Sequence, residues 1–499
     1  MSIIKAFTSI AFFTVLSRVS GFLRVAFFAA FFGTGTEADV FLSVMILPEL
    51  MYKFTSEGLI TGAAVPIFVT EKPGTQKESQ IFWTLFWGVS ISALFAIIAM
   101  LIFAKQICSS MVPGFLLETQ SRMVEMWKMM AFYILFSVQG SLLTAFLNAR
   151  QIFGPPAIGP FLVNVVVILG IYLNKEGHVE FLVPYVLMGI FIQTFWLFHI
   201  SRKIVGGMIY PWSRGYFQTD VWLDFLKKSA PIAIWVFLTP IIPLWERFLL
   251  SKQGVGAVST LNYTDKLIYL PLGVISLSLA SAIFPSLSES GEKVRIKILG
   301  KSIWWGLFVL LLPATLIFYL CSEQIMYVVF ARGKFQAAEI ASTSSLLTAY
   351  STFLIPISTV MLINRFFFAE GFFRITFMVG IVSVFLQVLL DTYFVEKIGW
   401  LGVGYGATAG SFFQMILLCI MIAWKKSFES VKIVLTPIVV TLGVFFFAGL
   451  YLKPIWMALL AHFSSGKTTQ LIAIVAFWLL LQIPLFGLAL VSKRYFRNA

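Results

Sequence analysis

Apolar residues in this chain come in blocks of about 20, separated by short polar punctuation. A block of that length with few charges is long enough to cross a bilayer as a helix. Fourteen such stretches can be placed, near 10–31, 38–69, 81–104, 123–149, 157–173, 181–201, 223–251, 258–288, 302–321, 337–368, 374–395, 403–423, 433–451 and 471–491. Those at 38–69, 258–288 and 337–368 are over-long, so helices there are expected to tilt, bend or run past the bilayer. An even number of spans puts both termini on one side.

The pattern also repeats. Asp39, Leu47, Pro48, Gly58 and PIFVTE at 66–71 are echoed by Asp265, Leu270, Pro271, Gly273 and PSLSE at 285–289. Each set falls on the second span of a putative half, about 220 residues apart. Six spans per half in the same orientation predict two lobes related by an axis along the membrane normal, 1–215 and 216–425. The last two spans, in 426–499, lie outside the repeat.

Composition fits this picture. Of 499 residues, 59% are hydrophobic and 12% charged, against roughly 45–50% and about 25% in soluble domains. The expected class is an all-α polytopic membrane protein. The formal charge of +14 does not point to nucleic acid, because the basic residues sit in short loops beside apolar blocks rather than on one soluble face. Lys72, Lys77, Arg150, Arg202, Lys203, Lys293, Arg295, Lys297, Lys425 and Lys426 crowd the loops of one side, while the opposite loops hold about half as many cations. The positive-inside rule therefore places both termini in the cytoplasm. Loop 291–301 is basic enough to touch anionic headgroups. The first block has no small-residue cleavage site and reads as the first helix, not a removable leader. Cys108, Cys321 and Cys419 are too scattered to suggest a disulfide framework or a metal site.

Charge inside the apolar blocks is what suggests chemistry. The first block contains SRVSGFLR at 17–24, with Arg18 and Arg24 at membrane depth. Each costs at least about 2.5–3.5 kcal/mol unless a cavity or partner receives it. Thr14, Ser17, Arg18, Gly21 and Arg24 share an arc of roughly 120° on a helix, which predicts a polar stripe screened from lipid by other helices. The second block carries Asp39, Glu49, Lys53 and Glu57, the last three at i, i+4 and i+8. Glu49 and Lys53 could neutralise each other; alternatively Lys53 lines the same cavity as the arginines, with Asp39 and Glu57 as counter-ions. In the eighth block Asp265 and Lys266 point about 100° apart, so one can face a cavity while the other docks the helix. If Arg18, Arg24, Lys53 and Lys266 converge, they would bind an anion, most naturally a phosphate group. Glu246, Gln387 and Asp391 are candidates for an Na⁺ or proton site; alternatively Glu246 pairs with Arg247 or another lobe residue, and Asp391 sits near the helix end in water.

Two apparent phosphate motifs fail. SSGKTT at 464–469 lacks the first glycine of a phosphate loop, Ala461 standing there, and no strand precedes it. GVGYGATAG at 402–410 opens an apolar span, where glycines serve close helix packing. His178, His199 and His462 are isolated, so no catalytic pair or metal cluster is expected.

Long segments resemble the MurJ (MviN) family: SRVSGFLR, FGTGTEADVF (32–41), LPEL (47–50), SEGLITGAAVP (56–66), TAFLNARQIFGPPAIGPFLVN (144–164), YTDKLIYLPLGVISLSLASAIFPSLS (263–288), FARGKF (330–335) and GWLGVGYGATA (399–409). The resemblance covers nearly the whole chain. It implies 14 helices in two six-helix lobes around a cationic cavity, with two further helices forming a groove for a lipid tail. It also implies transport of lipid II, the undecaprenyl-pyrophosphate-linked peptidoglycan precursor, across the bacterial cytoplasmic membrane, with cell-wall synthesis machinery as a candidate partner. Arg18 and Arg24 stand at the family's cavity arginines, Asp39 at its second-helix acid, and Lys266 where the family usually has Arg. The chain departs from the family where Tyr52 and Lys53 replace an arginine pair and Val25 replaces an Asp. Some relatives bind Na⁺ in the second lobe, where Glu246, Gln387 and Asp391 fall in plausible helices. The energy source expected is membrane potential, an ion gradient or downstream consumption. The same fold would suit an exporter of another polyprenyl-linked oligosaccharide or an ion-coupled drug exporter. A membrane-embedded polyprenyl-phosphate transferase would need acidic metal-binding loops that are not found.

Overall fold

Proline placement decides where the long apolar stretches become separate helices. In the computed structural model, which describes residues 3–54, 59–174, 177–205, 217–238, 240–460 and 466–492, every regular element is helical. The chain divides into two compact units, Met1–Ser259 and Thr260–Ala499. The first holds α1 (Ile3–Phe32), α2 (Thr36–Val44), α3 (Ile46–Phe54), α4 (Ile60–Val69), α5 (Gln76–Met111), α6 (Leu117–Met130), α7 (Tyr133–Ala149), α8 (Gly154–Leu173), α9 (Leu182–Ile204), α10 (Thr219–Leu238) and α11 (Ile241–Ser251). Next comes α12 (Ala257–Pro271), whose first turn belongs to that unit. The second unit holds α13 (Leu277–Glu289), α14 (Glu292–Ile303), α15 (Leu312–Leu320), α16 (Ser322–Phe330), α17 (Ala337–Ser351), α18 (Leu354–Ala369), α19 (Phe373–Ile398), α20 (Gly402–Lys425), α21 (Phe428–Leu460) and α22 (Lys467–Ser492).

The over-long stretches are interrupted as expected. Pro48 has no N–H and its ring opposes the carbonyl four residues back, so α2 ends at Val44 and α3 starts afresh. Pro356 acts likewise between α17 and α18, which bend by 44°. The stretch 257–289 stays continuous but widens into a π turn at Leu272–Ser276, directly after Pro271. Among the described residues nine helical stretches are long and apolar enough to cross a membrane, ten with the bent pair. One of them, Phe373–Lys425, contains two helices, α19 and α20, that fold back on each other.

In the first unit, α1 packs on α8, α8 on α9, and α4 and α5 on α7. The seventh apolar stretch, now α10 and α11, packs on α3, α4 and α5. Phe68, Phe82 and Phe146 form its aromatic centre, with rings 4.9 and 5.1 Å apart across Phe82–Phe146 and Phe68–Phe146, both edge-to-face. Such pairs add about 0.5–1.5 kcal/mol beyond burial, which counts for more where lipid is as apolar as the side chains. At one end Thr75 caps α5 by accepting from the Glu78 amide at 3.2 Å, while Glu78 accepts from the Gly74 amide at 2.6 Å. Glu78 also receives Arg150 from the end of α7 at 2.7 Å, both side chains buried.

In the second unit, α20 lays glycines against α19. A Cβ on Gly402 would strike the backbone at Phe394 and Val395, one on Gly406 would lie 2.1 Å from an Asp391 oxygen, and one on Gly410 would crowd Gln387. The closely spaced glycines thus serve helix packing, as the sequence suggests. At the end of α18, Glu370 accepts from Arg295 at 2.8 Å and Lys426 at 2.5 Å, and Lys426 also meets Glu292 at 3.2 Å.

Candidate functional site

The polar stripe of α1 is held by α8. Asn164, 7% exposed, donates to the Ser20 hydroxyl at 3.0 Å and the Ser17 carbonyl at 3.3 Å. Gly21 leaves the room this contact needs, since its Cβ would sit 3.4 Å from the Asn164 amide. The stripe is thereby fixed in rotation, with Arg18 exposed and Arg24 half-buried. Glu49 of α3 and Tyr133 of α7 lie within Coulombic range of the Arg24 guanidinium. Glu49 also stands 3.7 Å from Arg247 of α11, a 4% exposed arginine that donates to the Pro243 carbonyl at 3.0 Å. Inside the first unit Glu49 therefore pairs with Arg247 and acts on Arg24 across space. Glu49 thus has cross-helix partners besides any along its own helix. Arg247 is the cation that sequence reasoning left out of the site; its signal is an arginine in an apolar block, the same one that drew attention to Arg24.

Asp39 has a different occupation. It is 2% exposed and accepts from the backbone amides of Gly256 at 2.6 Å and Ser259 at 2.7 Å, capping the start of α12. Gly256 adopts φ +91°, a left-handed turn that suits glycine. Lys53 lies on α3 with its side chain outside the described residues, and Glu57 falls outside them altogether. Asp265 and Lys266 lie half-buried on the part of α12 that belongs to the second unit.

The candidate ion ligands are divided between the units. Glu246, 6% exposed, lies on α11, while Gln387 and Asp391 lie one turn apart on α19. Asp391 is fully buried, neither carboxylate oxygen has a hydrogen-bond donor in place, and the Gln387 side chain is the polar group that acts on it. A dry carboxylate with one amide side chain beside it is a group of the kind that takes up Na⁺ or a proton. His178 is less isolated than its place in the sequence implies, since it lies beside Glu37 and Glu180. Arg122 takes Glu37 at 2.7 Å and one oxygen of Glu180 at 2.6 Å, while the other Glu180 oxygen is enclosed without a hydrogen-bond partner.

Fold and site together define a class: a polytopic, all-helical membrane protein built as two units, with charge inside its spans. The sequence model described as "Lipid II flippase MurJ" matches residues 28–477. The chain belongs to the MurJ lipid II flippase family. It is 26% identical over 431 residues, covering 84% of this chain and 83% of its relative, to the probable lipid II flippase MurJ of Buchnera aphidicola subsp. Schizaphis graminum. It is 23% identical over 447 residues, 84% and 83% of the two chains, to the lipid II flippase MurJ of Burkholderia cenocepacia. Among solved structures it is similar to a lipid II flippase MurJ in an inward closed conformation, with TM-score 0.79, 20% identity and coverage of 98% and 99%. An inward-facing multidrug resistance MATE family transporter of the MOP superfamily shares the fold more loosely, with TM-score 0.64, 14% identity and coverage of 85% and 96%.

Proposed function

We propose that this chain carries lipid II from the inner to the outer leaflet of the bacterial cytoplasmic membrane by alternating access, with both termini in the cytoplasm. Membership of the family supports the substrate. The observation that carries the mechanism is Arg24: a half-buried guanidinium on an apolar helix whose rotation Asn164 fixes. A pyrophosphate is the counter-charge such a group suits, because the planar fork grips phosphate oxygens in pairs. In the unloaded protein Glu49 moderates that charge. An arriving pyrophosphate then competes with Glu49 for Arg24, and Arg247 remains to hold the displaced carboxylate. Arg18, Lys53 and Lys266 are proposed as the further cations of the site, and Asp39, Glu57 and Asp265 as acids that release or restrain them. Lys53 supplies a point charge where relatives use an arginine fork, so it contributes attraction without bidentate geometry.

Energy is proposed to come from an ion gradient or the membrane potential, with Asp391 and Gln387 as Na⁺ or proton ligands in the second unit and Glu246 as a candidate acid in the first. Rescue of growth in bacteria depleted of their own flippase tests the function. Wild type should restore normal cell shape and wall synthesis. Well-expressed protein in the membrane that restores nothing would count against lipid II as the substrate.

A further inference from the structure

A histidine stands among charges at the end of the first unit where α1 finishes. Glu37 lies in the first turn of α2, and Glu180 on the short 3-10 turn, Val179–Phe181, that leads into α9. His178 is the N-cap of that turn. One ligand atom from each of the three lies within 4.8 Å of the others.

Hydrogen bonds fix the backbone that carries this histidine. Asn174, the C-cap of α8 and 8% exposed, donates to the His178 carbonyl at 2.7 Å and accepts from the Gly177 amide at 3.2 Å. The Val179 amide donates to Glu37 Oε2 at 3.3 Å and ties the turn to α2. The His178 ring meets Phe181 edge-on, with 6.5 Å between centroids.

Arg122 of α6 accounts for part of the arrangement only. Its Nη2 bridges Glu37 Oε1 at 2.7 Å and Glu180 Oε1 at 2.6 Å. Within the cluster two carboxylates face one guanidinium, which leaves one negative charge over. Among the described residues Glu180 Oε2 is enclosed and has no hydrogen-bond partner, a costly state for a carboxylate oxygen. A carboxylate has about four lone-pair positions, so Arg122 leaves room on both acids.

An imidazole nitrogen beside two carboxylates is a donor set that suits a borderline cation such as Zn²⁺, whereas Ca²⁺ and Mg²⁺ take oxygen ligands. Zinc bonds of about 2.0–2.2 Å put tetrahedral ligands roughly 3.5 Å apart. Closing the cluster on an ion therefore asks only for rotations of side chains that are partly or fully exposed. We propose that Glu37, His178 and Glu180 form a Zn²⁺ site that pins the start of α2 to the start of α9, with the fourth position left to water. Arg122 then stands behind the ligands and orients both carboxylates, as hydrogen-bonded outer partners do in metal sites. In the orientation proposed above, the site opens on the outer face of the membrane. It lies away from the Arg24 stripe and does not depend on what the protein transports.

The test uses purified full-length protein without a histidine tag, stripped of metal by a chelator and then given Zn²⁺ alone. Titration calorimetry should find one Zn²⁺ per chain. His178→Gln and Glu180→Gln should each weaken binding about tenfold or more, since even an outer partner is worth that much. His199→Gln, a histidine outside the cluster, should leave it unchanged. Zn²⁺ should also raise the unfolding midpoint of wild type and leave that of His178→Gln in place, with the midpoints in chelator as the control for folding. Equal Zn²⁺ affinity in wild type and His178→Gln would overturn the proposal, and so would wild type that binds no Zn²⁺. Ca²⁺ or Mg²⁺ binding as tightly as Zn²⁺ would overturn it too, by leaving the imidazole no part in recognition.

Discussion

Asp39 illustrates how one side chain can read differently in sequence and in space. As a carboxylate in an apolar block it suggests a counter-ion for the arginines. In the structure its oxygens accept from two amides lying 217 and 220 residues further on. Asp39→Ala should therefore lower thermal stability by about 2 kcal/mol, the upper range for a helix cap, and Asp39→Asn, which keeps one acceptor, by less. Tryptophan-monitored unfolding in detergent measures both; an unchanged midpoint for Asp39→Ala would refute the capping role. Arg18 and Arg24 were legible in the sequence because a guanidinium in an apolar helix is costly enough to demand a reason. Asn164 and Arg247 were not singled out, because their roles depend on partners brought by packing: Ser20, 144 residues away, and Glu49 on another helix. The sequence left Asp391 either a buried ligand or an acid in water at the helix end, and the structure buries it fully. That neither oxygen finds a donor emerges only from the three-dimensional surroundings. If it takes Na⁺, replacing K⁺ by Na⁺ at fixed ionic strength should raise the unfolding midpoint of wild type. It should leave Asp391→Asn unmoved; a midpoint indifferent to Na⁺ in both would remove the ion from this residue.

At the scale of elements, spacing fixed the existence of helices better than their ends. Over-length flagged the stretches 38–69 and 337–368, and Pro48 and Pro356 are the residues that break them. The Gly402, Gly406 and Gly410 seam was legible as close packing, but which helix it faced was not, since any apolar partner of suitable pitch would serve. Gly406→Leu should prevent correct assembly, because even its Cβ would lie 2.1 Å from Asp391 and overpacking costs about 1–3 kcal/mol or more. Gly443→Ala, with nothing within 4 Å of the added carbon, is the neutral control. Size-exclusion profiles separate the two; a monodisperse, wild-type-like Gly406→Leu would show that the seam yields. The Glu370 cluster gives a pH prediction. Burial alone would raise this carboxyl, but hydrogen bonds from Lys426 and Arg295 outweigh it and hold the group below the ordinary carboxylate range. A depressed acid adds stability that is complete above its unfolded value and is lost as pH falls through its folded value. Wild type should therefore lose stability as acid is added below about pH 4.5, the ordinary value from which the group is depressed. Glu370→Gln should start about 3 kcal/mol lower at neutral pH, the lower bound for breaking a buried pair, and show a shallower acid decline. An identical decline in both would place the acid sensitivity elsewhere.

For the whole molecule, an ion pair recurs at the spacing proposed for the sequence repeat. Arg150 is the C-cap of α7 and meets Glu78 in the first turn of α5; about 220 residues later Glu370 is the C-cap of α18 and meets Arg295 in the first turn of α14. The polarity is exchanged. In the first unit the acid lies at a helix start and the base at a helix end, the arrangement that helix dipoles favour. In the second unit both dipoles oppose the pair, and Lys426 supplies an additional cation to Glu370. Positions about 220 residues apart thus keep a bond while its charges reverse. Arg24 is the proposed group by which this fold carries a pyrophosphate-linked lipid. That role is tested most directly in bacteria depleted of their own flippase, using an added enzyme that cleaves only lipid II exposed on the outer leaflet. The account predicts that wild type restores cleavage and that Arg24→Ala, at equal abundance and equal thermal stability, does not. Equal cleavage with both proteins would contradict it.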